Sequence, residues 1–259
     1  MRRALVLVIR PEQMRLLEEA QTSRFADELV GHIQKFAPIQ YETMGEEAVL
    51  RTTHIGLRNA RAHGFRHRGP VRLYVELMFM FGTFFDTDPQ YESVTCALAG
   101  TGSADEMDRA DRLHEKAVNY VDHVSGPQHV YERFALAKVS ELGYENGIRL
   151  AGLPASDLIG VLHRFYPEKC RYIRESAVTA LVREGYAMAA KRGPSWIVGS
   201  PLLVGLMFTF GHGCFADPQY PWIARVLDSD APTDAAAALE GLFRKFLLYL
   251  ERAKTNLDK

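Results

Sequence analysis

The chain carries its own sequence twice. Leu29 to Tyr91 aligns with Leu158 to Tyr220 at a constant offset of 129 residues and without a gap. Phe36 pairs with Phe165, Pro38 with Pro167, Glu46 with Glu175, Gly56 with Gly185 and Gly64 with Gly193. The match is densest where Leu77-Met78-Phe79-x-Phe81-Gly82 lies over Leu206-Met207-Phe208-x-Phe210-Gly211, and Asp88-Pro89-Gln90-Tyr91 over Asp217-Pro218-Gln219-Tyr220. A repeat of this length exceeds the solenoid units of about 20 to 50 residues, so it reads as a duplicated domain. It predicts two homologous modules packed as a pseudo-symmetric pair: residues 1–124 as the first, 125–154 as a connector and 155–259 as the second.

Wherever hydrophobic periodicity is clear it is helical, which makes the expected fold all-α. Met14, Leu17, Phe25, Leu29, Ile33 and Phe36 share one face of a long helix that opens at Pro11 and ends before Pro38. Further helices are expected over Glu46 to Ala62 and from about Val71 to Phe81, the latter apolar on most sides and therefore central. The last helix is the most amphipathic, with Leu239, Leu242, Phe243, Phe246, Leu247 and Leu250 on one face. Its counterpart around Leu113 to Val121 is more polar.

The N-terminal Ala4 to Ile9 is expected to be a short buried extended segment, since Arg10-Pro11-Glu12 cuts it off before it reaches the apolar length of a secretory signal. Trp196 to Phe215 has no Asp, Glu, Lys or Arg over about the length of a membrane span. Its twin segment contains Arg68, Arg72 and Glu76, which favours a buried helix. A net charge of -1 supplies no field to steer the chain to nucleic acid or to an anionic membrane. Cys96, Cys170 and Cys214 do not recur between the copies and show no CxxC spacing, the pattern of reduced thiols in a cytoplasmic protein.

No signature of an activated nucleophile, a phosphate loop or a dinucleotide fold is present in the sequence. Glu76, Asp86 and Asp88 could form a carboxylate cluster, but the second copy has Gly205 and Phe215 opposite the first two, so a solvated or salt-bridged group of charges is preferred. His63 and His67 are four apart across Gly64 and lack a completing ligand, so neither a metal nor a cofactor is expected. The recurring Asp-Pro-Gln-Tyr reads first as a helix start, with Asp as cap, Pro in the first turn and Tyr turned toward the core; a ligand-binding or catalytic use is the alternative.

The densest charge feature runs through Arg58, Arg61, Arg66, Arg68 and Arg72, whose twin segment is mostly neutral. It is either a solvated helix face or one edge of a protein-binding surface, with phosphate binding as the runner-up use of the arginines. On the protein-binding reading Arg61, Arg66, Arg68 and Arg72 form a positive rim in one module, while Trp196, Ile197 and Trp222 form an apolar patch in the other or else belong to the core.

Arg24-Phe25-Ala26-Asp27-Glu28-Leu29-Val30-x-His32, Gly45-Glu46-Glu47-Ala48-Val49, Gly56-Leu57-x-x-Ala60, the Leu77 to Gly82 string and Asp86-x-Asp88-Pro89 together resemble a family of small bacterial proteins encoded beside spike and effector genes of type VI secretion systems. The resemblance spans about Ile9 to Leu98, and more weakly Leu158 to Leu227; the family's usual form is single-copy, and no catalytic residue can be carried over from it. It implies a non-enzymatic adaptor or chaperone that binds an effector toxin or the secretion spike in the cytoplasm. A cytosolic immunity protein is the second expectation, and an enzyme built on the Asp-Pro-Gln-Tyr turns or the Glu76 group is the third.

Overall fold

The computed structural model describes residues 10–99, 105–148, 150–227 and 235–257, without the side chains of 142–148 and 256–257. The extended segment expected at Ala4 to Ile9 lies outside the described residues. Within them the chain is all-α. Helix α1 (Pro11–Phe36) is followed by α2 (Pro38–Met44), α3 (Glu46–Ala62), α4 (Arg68–Phe81), the one-turn α5 (Glu92–Thr95) and α6 (Glu106–Ser125). Next come α7 (Val130–Ile148), α8 (Ala155–Phe165), α9 (Pro167–Arg192), the short α10 (Pro194–Ile197), α11 (Ser200–Phe210), α12 (Pro221–Leu227) and α13 (Ala235–Leu257).

Local chemistry sets the breaks, and it acts alike at corresponding positions. Proline lacks the N–H needed to continue a helix and restricts the residue before it. Ala37 before Pro38 therefore leaves the helical region at φ -132°, ψ 64°, and Tyr166 before Pro167 does so at φ -139°, ψ 72°. Gly45 separates α2 from α3 at φ 78°, ψ 156°. The same break persists inside α9 at Arg174, with φ 70° and ψ 158°, although a side chain has replaced glycine's hydrogen there. Such dihedrals are close to glycine-only territory, so Arg174 is held in them by the packing on either side.

Two helix pairs form the centre. α3 packs on α4 and α9 packs on α11, in each case closely enough that a methyl on the small residue would collide: a Cβ at Gly56 would sit 2.8 Å from Val75 Cγ2, and one at Gly185 would sit 2.5 Å from Val204 Cγ2. Aromatic trios seal the outer ends. Phe81 stacks on Tyr91 at 4.7 Å and meets Tyr120 edge-on at 5.3 Å; Phe210 lies 4.6 Å from Tyr220 and meets Tyr249 edge-on at 4.8 Å. Buried side chains from both copies, among them Leu29, Met78, Leu113, Leu181, Met207 and Leu242, belong to one continuous apolar cluster.

Two expectations need amendment. Of the α1 face, Phe25, Leu29 and Ile33 pack inward, but Met14 and Leu17 are 46% and 57% exposed, since the last turn of α3 meets α1 at Thr22 and Pro11 to Gln21 before it are all exposed; Phe36, at the other end, is 41% exposed and stacks on His32. The segment 125–154, expected as a connector with some helix of its own, contains α7, which packs along α13. α2 falls where no helix was expected, between the proline at its start and the glycine at its end.

Candidate functional site

Asp88 is buried and caps the turn Pro89–Tyr91, its Oδ1 accepting from Gln90 N at 2.8 Å; Asp217 does the same for Gln219 N at 2.9 Å. Each carboxylate then uses its remaining capacity on the other copy. Asp88 Oδ2 accepts from His212 N at 2.7 Å, and Asp217 Oδ2 accepts from Thr83 N at 2.8 Å, Thr83 and His212 being corresponding residues. The Thr83 hydroxyl adds a bond to Asp217 Oδ1 at 2.6 Å. The glutamines cross as well: Gln90 Nε2 donates to Met207 O at 3.0 Å and Gln219 Nε2 to Met78 O at 2.8 Å, each adding a second bond to a carbonyl in the last turn of the opposite helix that already accepts from the capping glycine. The loops pass so closely that a Cβ at Gly82 would stand 2.8 Å from Phe210 O and one at Gly211 3.2 Å from Phe81 O, and both glycines have φ near +100°. Burial pushes the Asp217 carboxyl above its ordinary range, against the pull of its Thr83 and Gln219 donors. These carboxylates are occupied in holding backbone.

The three acidic residues of the first copy do not converge. Glu76 holds His32 Nε2 at 2.6 Å and is 3.4 Å from Arg72; Asp86 accepts from the Tyr74 hydroxyl at 2.7 Å and meets His63 Nε2 at 3.0 Å; Asp88 joins the crossing described above. Burial raises the Asp86 carboxyl, but its bonds to His63 and Tyr74 and the His63 charge outweigh this and hold it below the usual range. His67 turns away to Glu106 at 2.8 Å. Among the described residues no group of three or more His, Cys, Asp and Glu side chains is placed to hold a metal ion.

The predicted partner-binding residues sit on separate parts of the fold. Arg61 donates to Thr22 of α1 at 2.9 Å, Arg68 pairs with Glu28 and covers the Phe25 ring, and Arg72 pairs with Glu76. The Arg66 backbone N–H donates to Glu106 at 2.6 Å. Trp196 is half-buried under Arg192, while Ile197 beside it is 47% exposed on a turn that packs against α9 and α13. Trp222 is half-buried and edge-on to Phe210 at 6.0 Å.

A cavity lies elsewhere. Partly open and of about 660 Å³, it is bounded by α7, α8, α11 and α13, with residues of α6 and α9 and the end of α4 also in its lining. Its walls are aliphatic and aromatic, for example Val161, Leu202, Leu239 and Phe246, and Glu132 and Thr209 are among its few polar groups. Lys169, only 6% exposed, also lines it. Its Nζ donates to Phe208 O at 2.5 Å and lies 4.4 Å from the centre of the Phe208 ring. Desolvation lowers the Lys169 ammonium to about 8, against the opposing fields of Asp88, Cys170 and Glu132. A buried group so perturbed in an apolar cavity is a recognised mark of a binding site. Sequence reasoning missed it because Lys169 aligns with Gln40 and so carries no repeat signal.

No helix among the described residues is long and apolar enough to cross a membrane. Compared with protein-family models, with curated proteins and with solved structures, the chain matches none.

Proposed function

We propose that the two copies pack as a pseudo-symmetric pair and that the resulting single body works as a non-enzymatic accessory protein, an adaptor or chaperone that binds a type VI secretion effector or spike component in the cytoplasm. The pairing is supported by the crossed Asp88–His212 and Asp217–Thr83 bonds and by the aromatic trios that recur at the repeat spacing. Residues 1–124 and 155–259 are the proposed limits of the two modules, joined by 125–154.

One observation carries the binding role: the first three turns of α1 project from the body with Met14, Leu16 and Leu17 46%, 60% and 57% exposed. Large apolar side chains on a projecting helix are the usual means by which a helix docks into a partner's groove. Ile197 and Val198, 47% and 49% exposed, offer a second apolar contact in the other copy. Arg61, Arg68 and Arg72 already have partners within the fold, so they contribute to the partner surface as a rim around it. The carboxylates that an enzyme would need are engaged in capping and crossing bonds.

Co-expression with the host's effector and spike proteins tests this reading. Formation of a stoichiometric complex that Leu16→Asp with Leu17→Asp abolishes, without change in circular dichroism, is the expected result. A complex indifferent to that pair of substitutions removes α1 from the interface, and no complex with any of them removes the accessory role.

A further inference from the structure

The cavity contains a buried ammonium without a close ion pair. A buried ammonium is costly unless it is paired and its N–H groups are all bonded. Lys169 Nζ has three N–H groups, of which the bond to Phe208 O uses one. Among the described residues no carboxylate lies within the 4.0 Å of an ion pair with it. The Phe208 carbonyl belongs to the last turn of α11, whose negative end helps to hold the cation but does not neutralise it. The remaining donors sit at the edge of the aliphatic cavity.

We propose that this cavity binds a single-chain aliphatic carboxylic acid, its carboxylate on Lys169 Nζ and its tail between α8, α11 and α13. Charge complementarity selects the head. A cationic head is repelled by Lys169. Glu132 and Asp88 act on the Lys169 ammonium, and Glu132 and Glu240 line the cavity, so an anionic head is also repelled, a doubly charged phosphate monoester about twice as strongly as a carboxylate. The walls select the tail: Leu158, Val161, Leu202, Leu239, Phe243 and Phe246 present little but carbon. The volume of about 660 Å³ lies within the range of about 300 to 1,000 Å³ typical of small-molecule sites. Of the other polar groups in the lining, the Tyr166 hydroxyl is committed to Val124 O at 3.0 Å, the Thr209 hydroxyl to Gly205 O at 2.8 Å, and His129 pairs with Glu132 at 3.2 Å, so Lys169 is the buried cation of the site. This site does not depend on the accessory role, since α1 takes no part in it.

The test is calorimetric titration of the full chain, below micelle-forming concentrations, with dodecanoate, dodecanol, dodecyl phosphate and dodecyltrimethylammonium. The expected result is one dodecanoate per chain, bound at least about tenfold more tightly than the alcohol or the phosphate, with no binding of the cation. Lys169→Met should bring the acid down to the affinity of the alcohol. Gly205 lines the cavity and a Cβ there meets nothing within 4 Å, so Gly205→Leu should obstruct part of the space and weaken binding of acid and alcohol alike while leaving circular dichroism unchanged. Equal affinity for acid and alcohol in the wild type, acid preference surviving Lys169→Met, or no binding of any of the four would overturn the proposal. So would tight binding of a peptide with an apolar C-terminus in place of dodecanoate, which would reassign the site to a protein tail.

Discussion

Replacing Lys169 by Met should make the protein more stable at neutral pH. The side chain is 94% buried and its ammonium falls from an ordinary 10.5 to about 8 in the folded chain. At 1.36 kcal/mol per unit, the charged form costs the native state about 3 kcal/mol at pH 7. Met fills a similar volume with no charge, but leaves Phe208 O without its donor, at a cost of about 1 kcal/mol. The net expectation is a gain of about 2 kcal/mol at pH 7. The sign of the pH dependence follows from proton counting. Between about 8 and 10.5 the unfolded chain binds more protons than the native one, so the lysine penalty shrinks as pH rises and is gone above 10.5. At pH 9.5 it has fallen to about 1.4 kcal/mol, so wild type and variant should then be about equally stable. The buried hydroxyls of Tyr91, Tyr120 and Tyr220, which desolvation raises well above their ordinary range, lower stability at high pH in both proteins and cancel in the difference. Urea unfolding followed by circular dichroism at pH 7 and pH 9.5 measures both numbers. A variant less stable than wild type at pH 7, or a difference that does not change with pH, would show that Lys169 is paired in solution and would refute the reasoning.

Two other outcomes follow from positions where the backbone or the charge pattern is unusual. Arg174→Gly should raise stability by about 1 kcal/mol in the same urea assay, because it relieves a positive φ that Gly45 meets without cost at the corresponding break, whereas Gly45→Arg should lower it by a similar amount. Asp86→Asn should destabilise the chain at neutral pH by weakening the bonds to His63 and Tyr74; since the folded carboxyl is held below its unfolded value, the gap to wild type should be full above the ordinary carboxylate range and close as pH falls through and below it, which acid-dependent melting temperatures would register.

Much of this arrangement was legible before the structure. The offset repeat located α3 against α9 and α4 against α11, and helical periodicity found the buried face of α13, where Leu239, Leu242, Phe246 and Leu250 do face inward. Asp88 before Pro89 declared itself as a cap, and it is one. What the motif could not declare was the use of its other oxygen, since an acceptor's second partner, here His212, comes from packing of residues distant in the chain. Met14 and Leu17 kept the spacing of a buried stripe while lying beyond the end of α3, a matter of helix length in three dimensions. Arg174 hid a break that only its alignment with Gly45 reveals. Lys169 sat beside Cys170, whose thiol burial pushes up to about 12, in a stretch that reads as ordinary helix, and the cavity it lines is assembled from helices distant in the chain.

The central claim is that the crossing of Asp88 and Asp217 makes the two copies one cooperative body, and the chain contains its own reporter. Both tryptophans, Trp196 and Trp222, lie in the second copy, whereas circular dichroism reports the helices of both. Urea unfolding of wild type and of Asp88→Ala, followed by the two signals together, tests the claim most directly. Asp88 belongs to the first copy and bonds the backbone of the second, so the account predicts coincident transitions in both signals and an equal shift of both, by about 2 to 3 kcal/mol, in the variant. A two-step dichroism curve, with the tryptophan transition unmoved by Asp88→Ala, would contradict it.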